Sequence, residues 1–345
     1  MKFDVNNLQR TYVIAEMSAN HAGSMERAKE IIWAAKDAGA DCMKIQTYTA
    51  DTLTINCDNQ YFHIDNGTWE GENLYHLYEK AYTPWEWQAE LKHETEKAGI
   101  DFLSTPFDKT SVDFLEKIGM EFYKIASFEL VDIPLIEYVA SKGKPIILST
   151  GMGTVDEIEE AVGAIREQGN EQIVLLRCAS AYPAVSDEMN LVTIQDMMKR
   201  FQVPVGLSDH SMGSLAAVTA VALGAKVIEK HFCLSRAIEN PDSSFSMEPQ
   251  EFKRMVEDIR LTEKSVGTVK YGPTSQEENS IVFRRSIFAV KDIEAGEKIT
   301  AENVRIIRPG YGLKPKEYRK VVGMRAKERI SYGEPLSYEK LEEGE

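Results

Sequence analysis

The 345-residue sequence has only four cysteines, and no two of them form a C-x-x-C pair. Cys42, Cys57, Cys178 and Cys233 are widely scattered, which excludes a zinc knuckle or a thioredoxin-like site. Three of them, Cys42, Cys178 and Cys233, lie in apolar runs, as expected of buried thiols. No apolar run approaches the roughly 18–20 residues that a membrane span needs. The start, MKFDVNNLQR, lacks the apolar stretch of a secretion signal, so a cytoplasmic protein is expected. Basic charge is also scarce, with 40 Lys+Arg against 55 Asp+Glu and a net charge of −15. Nucleic acid and anionic membrane surfaces repel such a chain, and neither is expected as a partner. Finally, no G-x-G-x-x-G follows the first strand-like run, which counts against a doubly wound dinucleotide-binding sheet.

What is present is a globular balance of 43% hydrophobic and 28% charged residues. Over the first 265 residues, compact apolar runs alternate with longer helical patterns. The runs are residues 12–17, 42–48, 101–107, 122–127, 145–150, 173–180, 204–210 and 226–232, eight in all. Runs this compact suit strands covered on both faces, as in a parallel sheet. Between them, Ser24 and Thr154 open helical segments with N-cap chemistry, and Gly39 and Gly224 close two of them. Eight strand-then-helix repeats in about 250 residues predict a (β/α)8 TIM barrel.

The expected catalytic barrel covers residues 1–266, a polar linker 267–284, and a small β-rich domain 285–345. That last segment carries thirteen basic against eleven acidic residues, mildly basic beside an acidic barrel. The connection over residues 49–83 is long and rich in Asp, Asn, Tyr and Trp. Such an insertion either recognises substrate or packs on itself as a surface excursion.

In a barrel the active site lies at the carboxyl ends of the strands. Here those ends carry Glu16, Lys44, Gln46, Thr105, Phe107, Lys124, Ser127, Ser149, Ser180, Tyr182, Ser208-Asp209-His210 and Glu229-Lys230-His231. His210 and His231 are 21 residues apart, one βα unit, so they end neighbouring strands. They are either a divalent-metal pair with open positions for substrate or two hydrogen-bonded core histidines. Lys44 and Lys124 sit in apolar strands and should point inward, where a phosphate or carboxylate would meet them; a Schiff-base role for Lys124 is the rival. Glu16, Glu129 and Asp242 are placed for proton transfer or for binding hydroxyls, or else pair with the lysines.

The segments YVIAEMSANHAGS, GADCMKIQTYT, FLSTPF, YKIASFE, ILSTGM, CASAYP, VGLSDHS and ALGAKVIEKHF resemble, in order, the motifs of the sialic acid synthase family. RRSIFAVKDIEAGEKIT and RPGYGL are similar to its C-terminal antifreeze-like (SAF) domain. SANHAGS, LYHLYEKAYTPWEW and the ENPDSSFS segment from Glu239 most resemble the branch that makes pseudaminic acid. The legionaminic and N-acetylneuraminic acid synthases are close relatives.

The resemblance implies condensation of phosphoenolpyruvate with a 2-acetamido sugar, here 2,4-diacetamido-2,4,6-trideoxy-L-altrose, to a nine-carbon 2-keto acid. It implies a metal on His210 and His231, usually Mn²⁺, with Mg²⁺ or Co²⁺ as alternatives. It implies phosphoenolpyruvate on Lys44 and Lys124, assisted by Thr105, Ser127, Ser149 and Ser208. Glu16, Glu129, Tyr182 and Asp242 match acceptor-site or proton-handling positions. Where many members have Asn, this chain has Ser180. The family also implies a homodimer with exchanged C-terminal domains, in which Arg308 of one chain, or alternatively Arg285, reaches the acceptor's acetamido group in the partner.

Overall fold

The computed structural model describes residues 3–344, which form two compact units meeting in the chain at Gly267 and Thr268. In the first, eight parallel strands close into a barrel. They are β1 Tyr12–Glu16, β2 Cys42–Thr47, β3 Asp101–Pro106, β4 Tyr123–Ile125, β5 Ile146–Ser149, β6 Ile173–Cys178, β7 Val205–Asp209 and β8 Val227–His231. The ring closes where β8 pairs with β1, setting Tyr12 beside Val227 and Glu16 beside His231.

Strand side chains alternate between two cores. Val13, Ala15, Met43, Ile45, Ile146, Leu148, Leu175, Leu207 and Ile228 join the helices in the outer core. Tyr12, Ile14, Cys42, Leu103, Phe122, Ile147, Leu176 and Val227 plug the interior. Two residues further along each strand, the same inward parity is occupied by Glu16, Lys44, Thr105, Lys124, Ser149, Cys178 and Glu229. Ser208 holds the corresponding position on β7, two residues past Gly206. The apolar plug thus ends in one polar layer at the carboxyl mouth.

Helices return the chain between strands, and their ends follow local chemistry. Met25–Asp37 is capped by Ser24, whose side chain accepts from the Arg27 N–H, and the chain leaves it at Gly39, φ +92°. Val155–Glu167 starts with a reciprocal Thr154–Glu157 capping box, and Pro249 opens Pro249–Val266. The long connection after β2 contains short helices at Ala50–Leu53 and Leu74–Ala81, with Leu77 buried. Among the described residues no helix is long and apolar enough to cross a membrane.

In the second unit, Ser286–Ala289 pairs antiparallel with Val304–Ile307, and Arg325–Ala326 with Leu341–Glu342. Ile287, Ile293, Ile299, Val304, Val321, Ile330, Leu336 and Leu341 form its own small core.

Gly206 shows how tightly the barrel is closed. A Cβ there would lie 2.2 Å from the Val227 carbonyl oxygen and 2.7 Å from Leu176 Cδ2. Gly206→Ala is therefore expected to destabilise the barrel by at least about 1–3 kcal/mol, the usual cost of overpacking. A thermal midpoint unchanged by circular dichroism would contradict this packing.

Candidate active site

Four buried charges occupy the centre of the mouth. Lys44 Nζ lies 2.6 Å from Glu16 Oε2 and 3.6 Å from Glu229 Oε1, and Lys124 Nζ lies 3.9 Å from Glu229 Oε2. Lys44 also donates to Thr105 Oγ1 at 3.3 Å, and Ser208 donates to Glu229 Oε1 at 3.3 Å. Gln46 reaches Glu16 Oε1 at 3.4 Å. The sequence reading left open a ligand anion for the lysines or pairing with Glu16, Glu129 or Asp242; Glu16 does pair with Lys44, and Glu229 is a further internal partner.

The four groups are tuned differently. Burial pushes Glu16 up to about 7, with Lys44 pulling the other way. Burial would also raise Glu229, but Lys124 and Lys44 outweigh it and hold this carboxyl below its usual range. Burial lowers Lys124, only partly offset by Glu229. At the edge of the mouth Glu129, just past β4, is likewise raised by burial to about 7 against the pull of Lys124. Glu129 Oε2 and Ser149 Oγ are buried with no hydrogen-bond partner among the described residues. Unpaired buried polar atoms of this kind are costly unless a ligand meets them.

The loops after β4, β5 and β6 bring three groups close together. The Gly151 N–H donates to Ser127 Oγ at 3.0 Å. A Cβ at Gly151 would come within 2.1 Å of Ser180 Oγ and 2.7 Å of Ser127 Oγ. The lack of a side chain at Gly151 thus lets both hydroxyls approach its backbone.

His210 and His231 face each other with ring centroids 5.5 Å apart. His210 Nδ1 lies 3.0 Å from the Ala179 carbonyl oxygen, an acceptor, so Nδ1 carries hydrogen and Nε2 is the ring's other nitrogen. Burial would lower His210, but neighbouring Cys178, 3.7 Å away, outweighs it and raises it. Burial and then His210 push His231 well down, leaving it neutral, and its buried Nδ1 has no hydrogen-bond partner. Tyr182 lies against His210 at 4.2 Å, and Phe245 meets His231 edge-on at 5.0 Å. Among the described residues no group of three or more His, Cys, Asp or Glu converges as a closed metal cage. Asp242 is buried beside this pair, raised by burial, and accepts the Ala19 N–H at 3.1 Å.

The mouth therefore gathers Glu16, Lys44, Thr105, Lys124, Ser149, Ser208, His210 and His231, with Glu129, Ser127, Ser180, Tyr182 and Asp242 on the loops around it. Phe107 is half-buried just past β3, its ring edge-on to Tyr48 at 5.3 Å. Two residues read from sequence as part of the inward ring belong elsewhere. Asp209 and Lys230 fall on the outer parity of β7 and β8, where Lys230 Nζ pairs with Asp209 Oδ2 at 2.8 Å and the Ser211 N–H donates to Asp209 Oδ1. His21 is a satisfied core histidine, accepting the Gly23 N–H and contacting Thr83 Oγ1. Arg308 lies in the second unit, exposed and without an ion pair among the described residues. Sequence reasoning gave no role to Glu229, although it precedes His231 by two residues and so shares its face. Trp69 and Phe245 carried no such signal, because their contacts are made between distant loops.

A closed (β/α)8 barrel with paired lysines and carboxylates buried at its carboxyl mouth has the architecture of a barrel enzyme for a small anionic substrate. Residues 31–271 match the NeuB family model and residues 284–342 the SAF domain. The chain is 45% identical over 331 residues to the pseudaminic acid synthase of Campylobacter jejuni subsp. jejuni, covering 96% of each chain. It is 42% identical to the pseudaminic acid synthase of Helicobacter pylori, over 97% of this chain and 99% of that one. A crystal structure of the N-acetylneuraminic acid synthetase of Leptospira borgpetersenii, in complex with citrate, superposes with a TM-score of 0.71 at 33% identity, over 80% of this chain and 91% of that one. The chain belongs to the NeuB family and is an enzyme.

Glu16 and Glu129 both titrate near neutrality, each losing its proton as pH rises through about 7. If both must be ionised, log(kcat/KM) should rise with a slope approaching about two on the acid side. Glu129→Gln should lower the rate about 10²–10⁴-fold and cut that slope to about one. A two-proton limb persisting in the variant would exclude Glu129 as a titrating base.

Proposed function

We propose that this enzyme is a pseudaminic acid synthase, condensing phosphoenolpyruvate with 2,4-diacetamido-2,4,6-trideoxy-L-altrose and water to give pseudaminic acid and phosphate. The observation that carries this reading is the 45% identity along nearly the whole of both chains to a pseudaminic acid synthase, against 33% to an N-acetylneuraminic acid synthetase. The mouth supports it chemically. Lys44 and Lys124, with Thr105, Ser127, Ser149 and Ser208, offer cations and hydroxyls to the phosphate and carboxylate of phosphoenolpyruvate. Glu16, Tyr182 and Asp242 border the space for the sugar.

In this scheme C3 of the bound enol ester attacks the aldehyde carbon of the open-chain sugar. Lys44 and Lys124 hold the ester against that carbon and offset its negative charge. Positive character then develops at C2, and Glu129, or Glu16, takes a proton from the water that adds there. Phosphate leaves by cleavage of the C2–O bond, yielding the keto acid. His231, neutral with an unpaired ring nitrogen, and His210, whose Nε2 is its second ring nitrogen, are the donors that suit a divalent metal, Mn²⁺ foremost. Two imidazoles without a third protein ligand leave positions open for water and substrate oxygens. Such an ion supplies Lewis acidity for the aldehyde oxygen.

We further propose a cytoplasmic homodimer with exchanged C-terminal domains, in which Arg308 serves the partner's site. Exposed Phe128, Val131, Met152, Val185, Met212 and Leu215, in the segments that follow the strands at the barrel mouth, support burial against a second chain.

Two experiments test these readings. Purified enzyme with phosphoenolpyruvate and ¹⁸O-water should release phosphate with the trideoxy altrose acceptor, and the label should enter the keto acid. Faster release with a legionaminic acid precursor or N-acetylmannosamine would overturn the assignment, and label in phosphate would overturn the C–O cleavage. Separately, chelation, His231→Ala and Arg308→Ala should each remove most turnover. Mixing the two variant chains should restore about a quarter of wild-type activity, because half of randomly paired dimers carry one intact site. No recovery on mixing would refute the exchange, and full activity after thorough chelation would refute the metal.

A further inference from the structure

The connection after β2 crosses the mouth and is tied to two other loops through one dipeptide. Thr68 Oγ1 hydrogen-bonds the Tyr182 carbonyl oxygen after β6, and the Trp69 indole N–H donates to the Pro241 carbonyl oxygen after β8 at 2.9 Å. The Trp69 ring lies 5.3 Å from Tyr182 at 47° and 6.4 Å from Phe245, edge to face. Those two rings are the ones that lie against His210 and His231. Trp69 is therefore one ring removed from both imidazoles, and it is held there by a hydrogen bond as well as by contact.

The strap is braced behind the ring: the Gly71 N–H donates to the Ile64 carbonyl at 2.8 Å and the Ile64 N–H to the Glu72 carbonyl at 3.0 Å. Phe245 is fully buried, whereas Trp69 and Tyr182 remain partly exposed and offer aromatic surface at the mouth. The polar groups of the site, Glu16, Lys44, Lys124 and Glu229, are gathered at its base, so the mouth has a charged floor and an aromatic wall.

We propose that Trp69 is a specificity-determining residue, whose indole face receives the apolar, 6-deoxy end of the acceptor sugar while the histidine side of the site receives its aldehyde end. This deepens the function proposed above and rests on it. A methyl group against an aromatic ring is favoured over a hydroxymethyl, which must give up water there without a hydrogen-bond partner. One apolar group in such a pocket is worth roughly 10–200-fold in discrimination.

The test compares kcat/KM for 2,4-diacetamido-2,4,6-trideoxy-L-altrose and for its 6-hydroxy counterpart, in wild type, Trp69→Ala and Trp69→Phe. Wild type should prefer the deoxy sugar; Trp69→Ala should cut that preference about tenfold, chiefly through the acceptor's KM, while KM for phosphoenolpyruvate moves less than about twofold. Trp69→Phe keeps a ring but loses the bond to Pro241, and should retain most of the preference. An unchanged preference in Trp69→Ala, an equal rise in both KM values, or a Phe variant as impaired as the Ala variant would each overturn the assignment. If Trp69→Ala does not fold, Trp69→Leu carries the same comparison. Wild-type enzyme that releases phosphate with neither sugar would overturn the proposed function itself, a result distinct from failure of the Trp69 assignment.

Discussion

The mouth of this barrel depends on one arrangement: two lysines and two glutamates buried together, with Lys44 between Glu16 and Glu229 and Lys124 on the far side of Glu229. None of the four could be buried alone, because an isolated charge in a protein interior is too costly to remain charged. Each tolerates burial only because its partners reach it, Glu16 and Lys44 from adjacent strands and Glu229 and Lys124 from opposite sides of the barrel. The closed barrel brings them together, and the apolar plug below the layer excludes water from beneath it. The charges, in turn, make the layer a place where another charged group can be received.

The same geometry explains the unequal behaviour of chemically identical groups. At Glu229 the two lysines outweigh burial and hold it ionised, whereas at Glu16 and Glu129 burial prevails over the lysines' pull and both titrate near neutrality. One carboxylate thus acts as a fixed counter-ion while others are free to trade protons at working pH. His231 is kept neutral first by its burial and then by the positive charge around it, the state in which an imidazole can donate a lone pair.

Much of this was legible in the sequence, and for a physical reason. Strand parity is exact, so a residue an even number of places beyond an apolar inward position faces inward too, as Glu16, Lys44, Lys124 and His231 do. The eight strands were legible because runs covered on both faces leave an unbroken apolar signature. Parity also shows where the reading was too generous: Asp209 and Lys230, next to inward residues, lie on the outer face and pair with each other. What stayed hidden was made by loops that meet only after folding. Trp69 lies 113 residues before Tyr182 and 176 before Phe245, and no local pattern announces contacts of that reach. Gly151 was similarly opaque, since its meaning lies in the hydroxyls of Ser127 and Ser180 and not in its own turn.

The near-cancellation of charge at the mouth has a further consequence. With Lys44 and Lys124 already matched by Glu16 and Glu229, a multiply charged anion cannot enter as a simple replacement for a missing counter-ion. The incoming group must compete with Glu16 and Glu229 for the same two ammonium groups, so the pocket's grip on an anion is set by how readily its own carboxylates yield their partners.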